Sequence, residues 1–352
     1  MFVPALGSAV SESGAGLASF VTTLETLRLE ASIPGLSVAV VEQQRVRLAA
    51  GLGFADLKGA VAAAADTPYN IASVTKPISA VLALKLVEQG RVDLDRPMAD
   101  YSRWIKFCEA FSQQPSIFAR ELRCEPATHT LRHLLSHIAT GSAGSAYSYN
   151  PILFSWASRP LMAVTDASFS ESVAQLIFAP ADMQDSARQH RALPLRADLA
   201  ERLAPPHQVT SDGVLAQSEP PPPQGDGAAG GVISTVLDLA KFDIALDRGE
   251  LISLKSRAEM LAPTRLRSGE TAPYGLGWYV QEWRGMTLVW HAGWWEKAYS
   301  ALYLKVPSQD VTLILLANSE GLWWGNPLDG AEVQRSPFAQ AFLAAFVDTP
   351  SG

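Results

Sequence analysis

Residues 69–90 read YNIASVTKPISAVLALKLVEQG. Apolar positions recur through Val81, Leu82, Leu84, Leu86 and Val87, and Gly90 closes the run. The spacing predicts a helix that begins near Ser73 and stops at a C′-type glycine. At its head stand Ser73 and Lys76, whose spacing of three puts both side chains on one helical face, about one turn apart. A serine hydroxyl is a poor nucleophile until its proton is removed. A neutral lysine beside it can take that proton, or an ammonium can help another group to do so by lowering its pKa. The unpaired N–H groups at a helix start also favour the negative charge that develops on an attacked carbonyl oxygen.

The surroundings are those of a globular protein. The chain has 352 residues, 48% of them hydrophobic and 18% charged, which allows one large domain or two interleaved ones and argues against extended disorder. Net charge is -7, with Lys and Arg scattered rather than gathered in a stripe, so the footprint of a nucleic-acid binder is missing. A small, uncharged or mildly charged substrate fits better. Apolar runs such as LILLA at 313–317 fall far short of the ~18 residues of a membrane span. The opening MFVPALGSAV has no basic n-region, the first Lys or Arg being Arg28, so the expectation is a cytoplasmic protein, or a periplasmic one if a leader has been removed. Cys108 and Cys124 are too few for a disulfide framework or a cysteine zinc site and read as two packed thiols, with one bridge between them as the alternative.

Strand patterns lie at both ends of the chain. LSVAVVEQQRVRLAAGLG, 36–53, reads as a hairpin, and YGLGWYVQEW, MTLVWHAG, YSALYLKV and VTLILLAN follow one another between 274 and 318 as an antiparallel meander. Between them, LRHLLSH at 131–137 and STVLDLAKFDIALDRG at 234–249 read as helices, the latter capped by Ser234 or Thr235 and stopped by Gly249. FAQAFLAAF, 338–346, is a last helix packing on the sheet. The proline- and glycine-rich 205–231 reads as a long surface connection and a boundary. The expected fold is α/β (α+β): an antiparallel sheet flanked by helices, assembled from 1–75 and 225–352, with a mostly helical region, 76–224, inserted. The active site is expected at their interface. No internal repeat is visible.

IASVTKP resembles the nucleophile segment of the serine β-lactamase-like superfamily, which includes class C β-lactamases, penicillin-binding DD-peptidases and family VIII carboxylesterases. IPGLSVAVVE (33–42), VEQGRVDLDRPMADY (87–101), LRHLLSHIATG (131–141), AAGGVISTVLDLAKFDIAL (228–246), YGLGW, HAGWW and VTLILLANS follow in that superfamily's order, so the resemblance covers roughly residues 30–320. It implies a tyrosine general base from a Y-x-N arrangement, here sought in GSAYSYNPILF. Laying the superfamily's aromatic-x-Tyr run on this stretch makes Tyr149 the catalytic tyrosine and puts Pro151 in the asparagine place. A shifted register makes it Tyr147. Neither yields Y-x-N, which counts against efficient β-lactam hydrolysis.

HAGWW is similar to the superfamily's third motif in its histidine form. By that resemblance the backbone N–H of Trp294 joins that of Ser73 as an oxyanion hole, Gly293 lets substrate approach the backbone closely, and His291 orients Tyr149 or contacts the substrate's acid group. Histidine in place of lysine weakens the anchor for a carboxylate and favours esters.

Other motifs carry less. His129, His133 and His137 recur every four residues, yet no acidic or cysteine partner is placed to complete a metal site. There is no G-x-S-x-G elbow and no G-x-G-x-x-G after a strand. The tryptophans at 278, 283, 290, 294, 295, 323 and 324 suggest an aromatic-walled pocket for an apolar acyl or alcohol group. The expectation is therefore a serine hydrolase without cofactor or metal, most simply a carboxylesterase acting through a Ser73 acyl-enzyme on a small-molecule ester. A β-lactamase, a D-amino-acid peptidase or amide hydrolase, an acyltransferase, or a penicillin-binding sensor that does not turn over are the alternatives. Nothing in the sequence sets the oligomeric state.

Overall fold

Strands from the two ends of the chain pair into one sheet. In this computed structural model, which describes residues 14–124 and 128–347, they are β1 (Gly35–Glu42), β2 (Arg45–Asp56), β3 (Val61–Ala62), β4 (Tyr279–Trp283), β5 (Met286–Trp295), β6 (Tyr299–Val306) and β7 (Val311–Ala317). Their order is β3-β2-β1-β7-β6-β5-β4, antiparallel throughout. The join between the two ends is β1 against β7, with Val38 opposite Leu315 and Val40 opposite Leu313. The expected hairpin and meander are thus halves of one sheet.

Both faces of that sheet are covered, which explains why β1 and β7 read as unbroken apolar runs rather than alternating ones. Ala39, Val41, Ile314 and Leu316 face the helices Thr75–Glu88 and Val236–Asp247. Val38, Val40, Leu313 and Leu315 face the terminal helices Gly14–Glu30 and Pro337–Phe346, whose Phe20 and Phe346 meet edge to face at 5.1 Å. The sequence reading placed strands first, but the Gly14–Glu30 helix precedes them. Leu17, Phe20 and Leu24, all buried, are its signal at helical spacing.

Several local expectations hold with small shifts. The helix after Ser73 runs Thr75–Glu88, and Gly90 takes the left-handed φ of +67° just beyond it. Thr235, not Ser234, caps Val236–Asp247 by accepting from the Asp238 N–H. The 205–231 connection is only partly a surface strap. It carries a small hairpin, His207–Val209 with Leu215–Gln217, and then turns inward so that Ala228 is buried. The chain start that was read for a leader lies outside the described residues.

Cys108 and Cys124 form a disulfide, which corrects the reading of two packed thiols. The helix Trp104–Ser112 buries Cys108, and the chain then doubles back so that the two Cα atoms stand 5.7 Å apart. Such a distance suits a bridge. The bridge closes a loop with a sequence separation of 16 that contains Phe118. For a loop of this length the constraint on the unfolded chain is worth about 3 kcal/mol. Urea unfolding of the Cys108→Ser/Cys124→Ser variant should show a loss of that order, and an unchanged midpoint would mean that the bridge does not form in the folded protein.

Candidate active site

Ser73 lies in a 3-10 turn, Ala72–Val74, that leads into Thr75–Glu88. The turn is tight enough to force Ala72 to a φ of +47°, a conformation that side chains rarely adopt. Asn70 Oδ1 holds it there by accepting the Ala72 N–H at 2.9 Å. Gly293 on β5 explains why the turn can sit so deep. A Cβ at Gly293 would stand 2.3 Å from the carbonyl oxygen of Ile71, so the glycine serves the close approach of this chain's own backbone.

Lys76 Nζ stands 2.7 Å from Ser73 Oγ and donates to the Ala229 carbonyl at 3.1 Å. Its other neighbours are the rings of Tyr149 and Phe154, with centroids 4.9 and 5.4 Å away. The side chain is fully buried, and desolvation holds its pKa well below that of an ordinary lysine. The segment 228–232 closes over it. Ser79 Oγ donates to the Ala228 carbonyl at 2.6 Å, the Val232 N–H to Thr75 Oγ1 at 3.3 Å, and the Ile71 N–H to the Val232 carbonyl at 3.0 Å. The segment is anchored upstream by Asp226, which pairs with buried Arg188 at 2.7 Å and accepts from Ser170 Oγ at 2.6 Å.

Tyr149, not Tyr147, reaches the serine. Burial pushes the Tyr149 phenol above its ordinary pKa, opposed by its hydrogen bond with the Ser73 side chain. Tyr149 and Ser73 line a common cavity of about 290 Å³, whereas Tyr147 lies behind it with its ring stacked on Tyr274 at 5.9 Å. The carboxamide of Asn150 turns away. Its Oδ1 caps the helix Pro151–Ser155 by accepting from Leu153 N–H at 3.0 Å, and its Nδ2 donates to the Phe118 carbonyl at 2.6 Å. Pro151 occupies the first helical position, where its missing N–H costs nothing.

His291 departs from the expectation. It is fully buried, its Nδ1 donates to the Ala292 carbonyl at 2.7 Å, and its Nε2 accepts from Tyr274 Oη at 2.9 Å. Burial holds its pKa well below 6.5. Both nitrogens are committed, so it neither orients the Tyr149 hydroxyl nor offers a charge to substrate. The motif thus places a neutral wedge behind the site.

The cavity wall contains Trp290, Trp294, Trp295 and Trp323, but not Trp278, Trp283 or Trp324. Trp294 is 38% exposed at the mouth, stacked on Trp323 at 5.7 Å, and its Nε1 donates to Glu320 at 3.1 Å. Phe118, Ile152, Gln224, Tyr279 and Leu328 also line the wall, and sequence reasoning named none of them. The three histidines of the 129–137 run are spent separately: His129 Nε2 on the Ala139 carbonyl, His133 on a capping box with Thr130, His137 Nδ1 on the Asn150 N–H.

With this geometry established, the likeness to known proteins becomes specific. The family described as Beta-lactamase matches residues 17–332. The chain belongs to the beta-lactamase family. Penicillin-binding protein 4* of Bacillus subtilis is 39% identical over 99 residues, 28% of this chain and 21% of that protein. The mitochondrial serine beta-lactamase-like protein LACTB of Homo sapiens is 30% identical over 116 residues, 33% of this chain and 19% of that protein. The matched segments span about a fifth of the length of these curated relatives. Among solved structures, a class C beta lactamase from Rhodobacter sphaeroides superposes with a TM-score of 0.70 at 17% identity, covering 93% of this chain and 98% of that one. The D-amino acid amidase from Ochrobactrum anthropi SV3 does so with a TM-score of 0.70 at 20% identity, covering 93% and 98%. At such identities the likeness shows the fold, and the serine hydrolase superfamily follows from the family match.

The buried histidines give a stability test. His137 and His291 are held well below 6.5 and His133 near about 4, all chiefly by desolvation. Below pH 6.5 the unfolded chain binds protons that the native state does not, so stability falls with falling pH, by up to about 1.4 kcal/mol per unit for each fully buried histidine. Unfolding midpoints at pH 7.5 and 5 should differ clearly; a flat profile would show these rings to be accessible.

Proposed function

We propose that this protein is a carboxylesterase that hydrolyses uncharged esters with an apolar acyl or alcohol group through an acyl-enzyme on Ser73. One observation carries the reading: among the described residues no charged side chain lines the cavity, whose walls are aromatic, aliphatic and small residues with Gln224, Ser73 and Ser155 as the polar ones besides the tyrosines. A carboxylate brought into such a pocket loses its water and gains no cation, at a cost of several kcal/mol. β-Lactams and D-amino-acid peptides carry a carboxylate close to the scissile bond; simple esters do not. A penicillin-recognising hydrolase or sensor would need that missing cation.

In this reading Lys76 and Tyr149 form an acid–base pair that burial pushes apart. The lysine, lowered, is an amine able to accept a proton, and the tyrosine, raised, is a phenol with one to give. Lys76 takes the Ser73 proton as Oγ bonds to the ester carbonyl carbon and the carbonyl pair moves onto oxygen. The backbone N–H groups of Ser73 and Trp294 receive that oxyanion. As the tetrahedral centre collapses, the C–O bond to the alcohol breaks, the alkoxide takes the Tyr149 proton, and the Lys76 ammonium restores it. Water then attacks the acyl-enzyme along the same route and releases the acid. The Cys108–Cys124 bridge favours an oxidising compartment over the cytoplasm.

Ser73→Ala should abolish hydrolysis of p-nitrophenyl butyrate with the fold intact by circular dichroism. Tyr149→Phe should lower kcat by roughly 10²- to 10⁴-fold, the range for losing a general acid or base. Tyr147→Phe should be far milder, and the reverse ranking would assign the role to Tyr147. Nitrocefin turnover exceeding that of the ester would replace this reading with a β-lactamase.

The pH dependence follows from the same pair. Lys76 is base-competent only above its pKa, so kcat/KM should fall on acidification along a limb well below the ordinary lysine value of 10.5. The raised Tyr149 should give no loss on the alkaline side up to about pH 10. An activity that climbs steadily toward pH 10.5 would mean that Lys76 is an ordinary ammonium.

A further inference from the structure

Tyr149 stands on residues 146–150, which have no helix or strand to hold them. Its phenol must nonetheless meet Ser73 Oγ, and the carboxamide that the resemblance led us to expect beside it is absent, since Pro151 takes that place and Asn150 caps the following helix. The main chain is fixed instead from outside. The Ser148 N–H donates to the His137 carbonyl at 2.9 Å, the Tyr149 N–H to the Asp329 carboxylate, and the Asn150 N–H to His137 Nδ1 at 3.0 Å. Three successive amides are therefore held, with the tyrosine in the middle. The His137 ring also lies against the Tyr149 ring, centroids 4.2 Å apart.

We propose that Asp329, acting with His137, is the positioning residue for the Tyr149 phenol. This rests on the reading of Tyr149 as the proton donor. Asp329 suits the role for two reasons. An ionised carboxylate accepting an N–H makes a bond roughly twice as strong as a neutral one. The turn that carries it is itself fixed: Asn326 Nδ2 donates to the Pro327 and Gly330 carbonyls at 2.7 and 2.8 Å, and Tyr279 Oη donates to the Leu328 carbonyl at 2.6 Å. Leu328 and Tyr279 line the cavity, so the wall that receives substrate and the clamp on the tyrosine are one unit.

Asp329→Ala should lower kcat for p-nitrophenyl butyrate by roughly 10- to 100-fold, the scale of a misplaced catalytic group, with KM within about twofold. Asp329→Asn retains an acceptor oxygen and should keep most of kcat. In a Tyr149→Phe background Asp329→Ala should add nothing, whereas a general weakening of the fold would add the same factor in both backgrounds. Fluorophosphonate labelling of Ser73, whose fluoride needs no proton from Tyr149, should proceed at an unchanged rate. Independently of any substrate, the ¹⁹F resonance of 3-fluorotyrosine at 149 should shift or broaden in Asp329→Ala and recover in Asp329→Asn. Failure of the wild type to hydrolyse esters overturns the esterase reading and leaves the resonance to decide the clamp. An unmoved resonance, equal losses in both backgrounds, or an unchanged kcat in Asp329→Ala overturns the clamp itself.

Discussion

A lysine buried with no carboxylate partner among the described residues is the constraint around which this site is built. An ammonium taken out of water costs several kcal/mol unless something offsets it. Around Lys76 the offsets are two carbon-rich rings, a hydroxyl and one backbone carbonyl. The fold therefore drives the group toward the neutral amine, the form able to take a proton from Ser73. Each surrounding device maintains that burial. The 228–232 segment is tied across the helix at several points, and Gly293 lets β5 come down on the turn from the other side. The left-handed Ala72 is the local cost of holding the hydroxyl at the amine.

Lys305 shows that burial alone does not make a lysine reactive. It is 1% exposed, yet it is ion-paired with Asp243 and, at 3.0 Å, with Asp247, and it donates to Thr312 at 3.3 Å. Tyr303 Oη joins the same Asp243 at 2.5 Å, and Arg257 the same Asp247 at 2.7 Å. These bonds fasten the Val236–Asp247 helix to β6 and β7. The two lysines differ in their partners, not in depth: one sits among carboxylates and binds a helix and two strands together, the other sits among aromatics beside a hydroxyl.

That difference also marks what could be read from sequence. Ser73 and Lys76 were legible because a helix brings i and i+3 together whatever the rest of the chain does. The strands were legible because their apolar runs and turns are local. Asp329 was not, since it meets Tyr149 across 180 residues and its turn has no motif. His291 was found and misassigned: its place on β5 is local, but its partner Tyr274 is set by how the strands pack, which spends both ring nitrogens in the core. The bridge between Cys108 and Cys124 depends on a chain reversal that spacing does not reveal. The Gly14–Glu30 helix had a usable signal in Leu17, Phe20 and Leu24 that the strand-first reading passed over.

The uncharged wall and the neutral amine depend on each other. An opposite charge within about 4–6 Å of a titratable group favours its charged form. A substrate carboxylate settling close to Lys76 would raise the lysine's pKa and turn the proton acceptor into an ammonium as binding occurred. A neutral substrate has the contrary effect. By filling the cavity between Trp290, Trp295 and Leu328 it removes water, lowers the local polarity and keeps the amine unprotonated. In the proposed esterase, selection against charge in the pocket would be part of the base's activation, because the desolvation that disfavours an acidic substrate is the same desolvation that lowers the pKa of Lys76.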